Sequence, residues 1–262
     1  MRVPIYQVDA FTDALFGGNP AAVCPLPAWL PDATMQAIAA ENNLAETAFF
    51  VREGEDYALR WFTPTVEVDL CGHATLASGH VVLDLLEPGR DSASFRTVKA
   101  GTLHVTRRSA NLLELDLPVR PAVACEAPAG LVAAVGGRPS AVLRARDHLL
   151  VYRSAAEVAA LKPDFAALAA VDCWAAIATA PGESGVDFVS RFFAPAQGIA
   201  EDPVTGSAHC TLTPYWAERL HKTELEARQI SPRGGTLHCT LRGDRVGLAG
   251  RCVLYLEGQI SV

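Results

Sequence analysis

Several ionisable residues stand where the chain passes from one regular structure to another, and each could handle a proton. Cys71 and His73 flank Gly72 in the segment DLCGHATL, where an extended run gives way to a helical one. A thiol at such a place is a candidate nucleophile or base, because helix N-termini lower thiol pKa values. The same dipole disfavours imidazolium, so His73 reads as a neutral imidazole able to donate or relay a proton. No zinc-type pairing of His and Cys surrounds it, so as a metal ligand it has no companions and no metal is expected. Glu46, in NNLAETAFF, opens an apolar strand after a helix-like segment at 31–41. Partial desolvation there would raise its pKa toward the range useful for general acid–base work, whereas a solvated strand-end carboxylate is the ordinary alternative. Asp202, in EDPVTGSAH, lies just ahead of a second helical run, as its cap or as a catalytic acid.

The elements that must position these groups come in two copies. Arg60-Trp61-Phe62-Thr63-Pro64 recurs as Arg191-Phe192-Phe193-Ala194-Pro195, an offset of 131 residues (60 to 191). Gly72-His73-Ala74 recurs as Gly206-Ser207-Ala208, and Gly101-Thr102-Leu103-His104-Val105-Thr106 as Gly235-Thr236-Leu237-His238-Cys239-Thr240, both offset by 134 (72 to 206, 101 to 235). Matches in one order at nearly one offset, half the chain long, read as two copies of one α/β unit. In each copy a strand meets a Pro turn, a polar loop, a Gly and then a helix. The helical segments, 74–86 and 208–220, carry apolar residues so densely around the wheel that both are expected to be buried, with Pro214 a candidate kink. Short β-branched and aromatic runs surround them. The predicted fold is α/β (α+β), with two mainly antiparallel, strongly curved sheets, each wrapped on a central helix. The Pro-rich segment 118–128 marks the boundary between domains at 1–118 and 119–250, and the strand at about 251–262 is expected to return to the first.

The start of each helix joins Gly to small residues: Gly72 in the first copy, Gly206 and Ser207 in the second. Unpaired N–H groups and the positive dipole end suit such termini to an anion, so a small carboxylate is the expected ligand, facing both across a cleft. The formal net charge of -7 argues against nucleic acid, whose binding draws on clustered Lys and Arg. No run approaches a bilayer span, and the N-terminus lacks a signal-peptide pattern, so a cytoplasmic protein is expected. Seven scattered cysteines make no disulfide framework and read mostly as core residues.

At these residues the chain resembles the PhzF family of phenazine-biosynthesis-like proteins, whose fold is shared with diaminopimelate epimerase and proline racemase. The resemblance rests on VDAFT with GGNPA, on NLAET, on CGHA and on EDPVTGSA, spread in order over nearly the whole chain. It implies a cofactor-free active site between two similar domains and a homodimer. In the phenazine enzyme the carboxylate of the N-L-x-E motif moves a proton between carbons of a cyclohexadiene amino acid, a role that falls on Glu46. His73 and Asp202 correspond to supporting acid–base residues. Gly72, Gly206 and Ser207 match substrate-holding positions, with Asn19 and Cys71 as further contacts. Ala45, Cys71 and Ala74 depart from that enzyme, which has Ser, Ala and Pro there. The chain is closer to the broad subgroup marked by CGHATLA and DPVTGSAH, for which the resemblance supplies no substrate.

The racemase and epimerase relatives place one Cys before the first helix and another at the matching place in the second copy. Cys71 fits the first, and Pro203 is read as occupying the second, which disfavours a two-thiol mechanism. A racemase using Cys71 stays as the alternative, and a non-catalytic ligand-binding or interaction module as another. Retention of Glu46, His73 and Asp202 together argues against the module.

Overall fold

The computed structural model describes residues 1–262. The chain forms two compact units, one made of Met1–Asp116 with Ala249–Val262 and the other of Leu117–Leu248. Both are mixed α/β units. In the first, Arg2–Ala10 pairs antiparallel with Cys252–Ser261 on one side and with Asn19–Leu26 on the other. Asn19–Leu26 then pairs parallel with Glu46–Glu53, which pairs antiparallel with Asp56–Phe62. Asp56–Phe62 pairs parallel with Ser92–Thr97, and Thr102–Ser109 closes an antiparallel hairpin on that strand.

The second unit repeats this sequence of pairings. His148–Val151 runs parallel to Ala176–Pro181, which pairs antiparallel with Phe188–Ala194. Phe188–Ala194 runs parallel to Glu224–Gln229, and Gly235–Arg242 forms the antiparallel hairpin. The duplicated segments therefore occupy equivalent strands. Residues 118–128 do not run as a bare linker, because Val123–Ala124 pairs with Ala141–Arg144.

Each unit buries one helix. In Gly72–His80 every residue from Gly72 to Gly79 is buried, and in Gly206–Leu220 most are. A helix without a polar stripe has no face to offer water, as the dense apolar pattern requires. The first helix starts earlier than the sequence pattern placed it, and from Val81 to Leu86 it widens into a π-helix. Gly79 permits its close packing, since a Cβ there would lie 2.5 Å from Val105 Cγ1. The second helix runs unbroken across Pro214. On the opposite face of the first sheet, Met35 and Ile38 of helix Asp32–Asn42 pack with Phe49, Val51 and Phe62. No helix is long and apolar enough to cross a membrane.

The loop leading into each buried helix is held by the same device. Arg60 forks onto both carboxylate oxygens of Glu67, and Arg191 onto both of Glu201, at 2.7–2.8 Å. In each copy the Glu lies five residues before the helix glycine. Arg191 also donates to the carbonyls of Val158 and Leu161, and both it and Glu201 are largely shielded from water. Glu67 is more exposed. Truncating one partner of a shielded pair strands the other charge, so Arg191→Ala should destabilise the protein by roughly 3 kcal/mol. Arg60→Ala should cost clearly less, and urea unfolding of the two variants measures the difference.

Candidate active site

Glu46 is the first residue of its strand and shares a strand face with Ala48 and Phe50, since side chains alternate along a strand. Ala21 lies opposite it on the parallel neighbour, and two residues earlier Asn19 opens that neighbour. The turn before Asn19 needs Gly18, whose φ is +60° and whose Cβ, if present, would fall 2.2 Å from the Ala10 carbonyl oxygen. His73 arrives from the first turn of the buried helix, and Cys71 is that helix's N-cap residue.

The fold thus gathers Glu46, Asn19, Cys71 and His73. His73 Nε2 lies 3.3 Å from Glu46 Oε2, while Nδ1 lies 3.2 Å from Asn19 Nδ2 and 3.4 Å from Cys71 Sγ. The Asn19 amide nitrogen can only donate, so Nδ1 accepts and the ring proton sits on Nε2, facing the carboxylate. Glu46, Cys71 and His73 are only 9 %, 6 % and 4 % exposed, so Glu46 is not the solvated strand-end carboxylate of the ordinary alternative. Burial pushes the His73 imidazole down to about 3, an effect that its contact with the Pro20 carbonyl only partly offsets. At neutral pH the ring is therefore uncharged. One donor atom from each of Glu46, Cys71 and His73 lies within 4.8 Å of the others, so His73 does have companions that linear spacing could not reveal.

The second unit carries a different cluster. Asp202 ends the strand Ile199–Asp202 and is buried. It is not the cap of the second helix. Thr205 holds that position, and its hydroxyl donates to the Asp202 carboxylate. Gln229, which sequence reasoning did not single out, clamps this loop: its Nε2 donates to the Asp202 carbonyl at 2.7 Å, and its Oε1 accepts from the Thr205 N–H at 2.8 Å. Ser231, also missed, donates to the Pro203 carbonyl. Neither residue carries a motif, because a loop clamp is recognised only by contact. Gly206 and Ser207 form the first turn, and Arg146, stacked over Trp174, lies 3.4 Å from the Ser207 hydroxyl.

Because both helices start at the duplicated glycine, the residue equivalent to Cys71 is Thr205, the N-cap of the second copy. Pro203 lies two residues too early. No second thiol stands at that position, so the two-thiol arrangement is absent for a different reason from the one expected. His209 is a structural histidine: Nδ1 is 2.8 Å from the Thr205 carbonyl, the ring packs on Phe188, and burial pushes it down to about 4. In the first copy Thr75 makes the same fourth-residue bond, to the Cys71 carbonyl.

Comparison with known proteins places the chain in a family and a fold. A family profile described as "Phenazine biosynthesis-like protein" (PhzC-PhzF) matches residues 8–258. An uncharacterized isomerase of Pseudomonas aeruginosa is 50 % identical over 262 residues, spanning 100 % of both chains. A crystal structure of a PhzF-family phenazine biosynthesis protein from Enterococcus faecalis superposes with a TM-score of 0.96 at 46 % identity, covering 100 % of both chains. A hydroxyproline epimerase of Agrobacterium vitis, solved with trans-4-hydroxy-L-proline bound, shares the fold at a TM-score of 0.60 and 11 % identity, covering 99 % of this chain and 92 % of its own.

The buried neutral histidine has a thermodynamic consequence. Its folded value, about 3, lies below the ordinary 6.5. Between these values the unfolded chain binds the proton and the folded chain does not, so stability is full above about pH 6.5 and falls as pH drops. His73 should contribute a slope of about 1 kcal/mol per pH unit in that window. Urea unfolding at a series of pH values should show a shallower acid loss in His73→Asn than in the parent.

Proposed function

Since the chain belongs to the phenazine biosynthesis-like (PhzC-PhzF) family, we propose that it is an isomerase that moves a proton between carbons of a small carboxylate-bearing substrate, with Glu46 as the acid–base group. The observation that carries this reading is the buried contact between the Glu46 carboxylate and the neutral His73 imidazole. A carboxylate in a dry site accepts a proton from an activated carbon more readily than one surrounded by water, because less solvent must be displaced as the reaction proceeds. The Nε2–H of His73 steadies the carboxylate as it gains and loses charge. Asn19 fixes the imidazole tautomer by donating to Nδ1.

In the forward step the C–H electron pair of the substrate moves into the adjacent conjugated system, and the proton passes to Glu46. The same carboxyl then delivers it to another carbon, so no net oxidation occurs and one residue serves as base and then acid. The start of the first buried helix, Gly72 with Cys71, binds the substrate carboxylate through its N–H groups, and Gly206 and Ser207, with Asp202 before them, form a helix start of the same kind in the second unit.

A second reading has one observation of its own. Cys71 Sγ lies against His73 Nδ1 at an N-cap, where a thiol could act as the base of a racemase. Deuterium wash-in from heavy water, followed by NMR over a panel of small amino and hydroxy acids, identifies a substrate. With it, Glu46→Gln should lower kcat by about 10²- to 10⁴-fold, the usual worth of a general acid–base group. Cys71→Ala should lower it far less. Equal losses in the two variants would favour the racemase, and binding without exchange for every ligand would favour a module that does no chemistry.

A further inference from the structure

The geometry points to a binding site for a thiophilic divalent cation, zinc above all, formed by Glu46, Cys71 and His73 and inhibitory when filled. This inference rests on the role proposed for Glu46 and adds a regulator of the same site. The three side chains reach one point from separate places: a strand start, the residue before a buried helix and the first turn of that helix. They supply one carboxylate, one thiol and one imidazole, a donor set that selects zinc over magnesium or calcium, which prefer oxygen alone. Three protein ligands and one open position are the pattern of zinc sites that retain an exchangeable ligand.

The spacing suits it. Tetrahedral bonds of about 2.0–2.3 Å set ligand atoms about 3.3–3.8 Å apart. His73 Nδ1 lies 3.4 Å from the Cys71 sulfur and Nε2 lies 3.3 Å from the Glu46 oxygen; an ion takes one of these nitrogens, and one donor atom from each of the three residues lies within 4.8 Å of the others. Side-chain rotations that move an atom by about 1 Å close the site. The ion takes Nδ1, the nitrogen that carries no proton, and displaces the Asn19 amide that donates there, while Nε2–H stays directed at Glu46. Binding forms Zn–S, Zn–N and Zn–O bonds, and the thiol proton leaves to solvent with no change of oxidation state. The filled site holds the Glu46 oxygen that would otherwise take the substrate proton.

Cobalt(II) added to the full-length protein serves as the spectroscopic probe. The parent should develop a thiolate-to-cobalt charge-transfer band in the near ultraviolet that zinc bleaches. Cys71→Ser, whose other six cysteines remain, should show no band while keeping the parent's circular dichroism. Glu46→Gln should keep the band but bind at least about 10-fold more weakly, since losing even an outer partner of a ligand costs 10- to 100-fold. Absence of a band in the parent, or an unchanged band in Cys71→Ser, overturns the site. Should Cys71→Ser fail to fold, unchanged affinity in both Glu46→Gln and His73→Asn overturns it instead. Zinc should also abolish deuterium wash-in, and a chelator should restore it. The cobalt spectrum needs no substrate, so a metal site in a protein without proton transfer would refute the isomerase reading alone. Proton transfer indifferent to saturating zinc would refute the regulation alone.

Discussion

A helix buried on every side must find partners for its first turn inside the protein, because no water reaches the N–H groups that its own backbone leaves unpaired. Both units are organised around this demand. The fourth residue of each helix bonds back to the cap carbonyl, through the Thr75 hydroxyl in one copy and the His209 imidazole in the other. The loop before each helix is pinned by an Arg–Glu fork, and the second is clamped again by Gln229.

The electrostatics of the first unit follow from that burial. A protonated imidazole at the start of a buried helix would face the positive dipole end with no water to solvate it, and desolvation outweighs the contact with the Pro20 carbonyl. The pair is consequently a neutral ring beside a carboxylate. This matters for chemistry, because an imidazolium would pair with Glu46 and blunt it as a base.

The duplication was legible in the sequence because it resides in short similar strings, RWFTP against RFFAP and GTLHVT against GTLHCT, which fall on equivalent strands. Both central helices were legible because burial of most of their residues spaces apolar side chains densely around the wheel. Their ends were less so: Gly72 and Gly206 lie inside the helices, and after His80 the first continues as a π-helix that no sequence pattern marks. Glu46 was placed by its strand, but its approach to His73 joins residues 27 positions apart (46 to 73) and depends on a parallel pairing that no local pattern encodes. Matching Pro203 to Cys71 failed because the loops differ in chemistry, whereas counting back from the helix glycines gives Thr205.

That correspondence bears on how two copies of one unit come to differ in function. At the cap position one copy has a thiol and the other a hydroxyl, and at the second helical residue one has an imidazole and the other a serine. Thr205 spends its hydroxyl on Asp202, and its backbone N–H is taken by Gln229, so the second cap is committed to structure. Cys71 instead lies against an imidazole whose other nitrogen faces a carboxylate. A reaction needing equivalent bases from both copies has lost the residue types for it. One that moves a proton with a single carboxylate needs only the first copy's strand start and helix start, and these are the places where burial, tautomer and distance are jointly constrained.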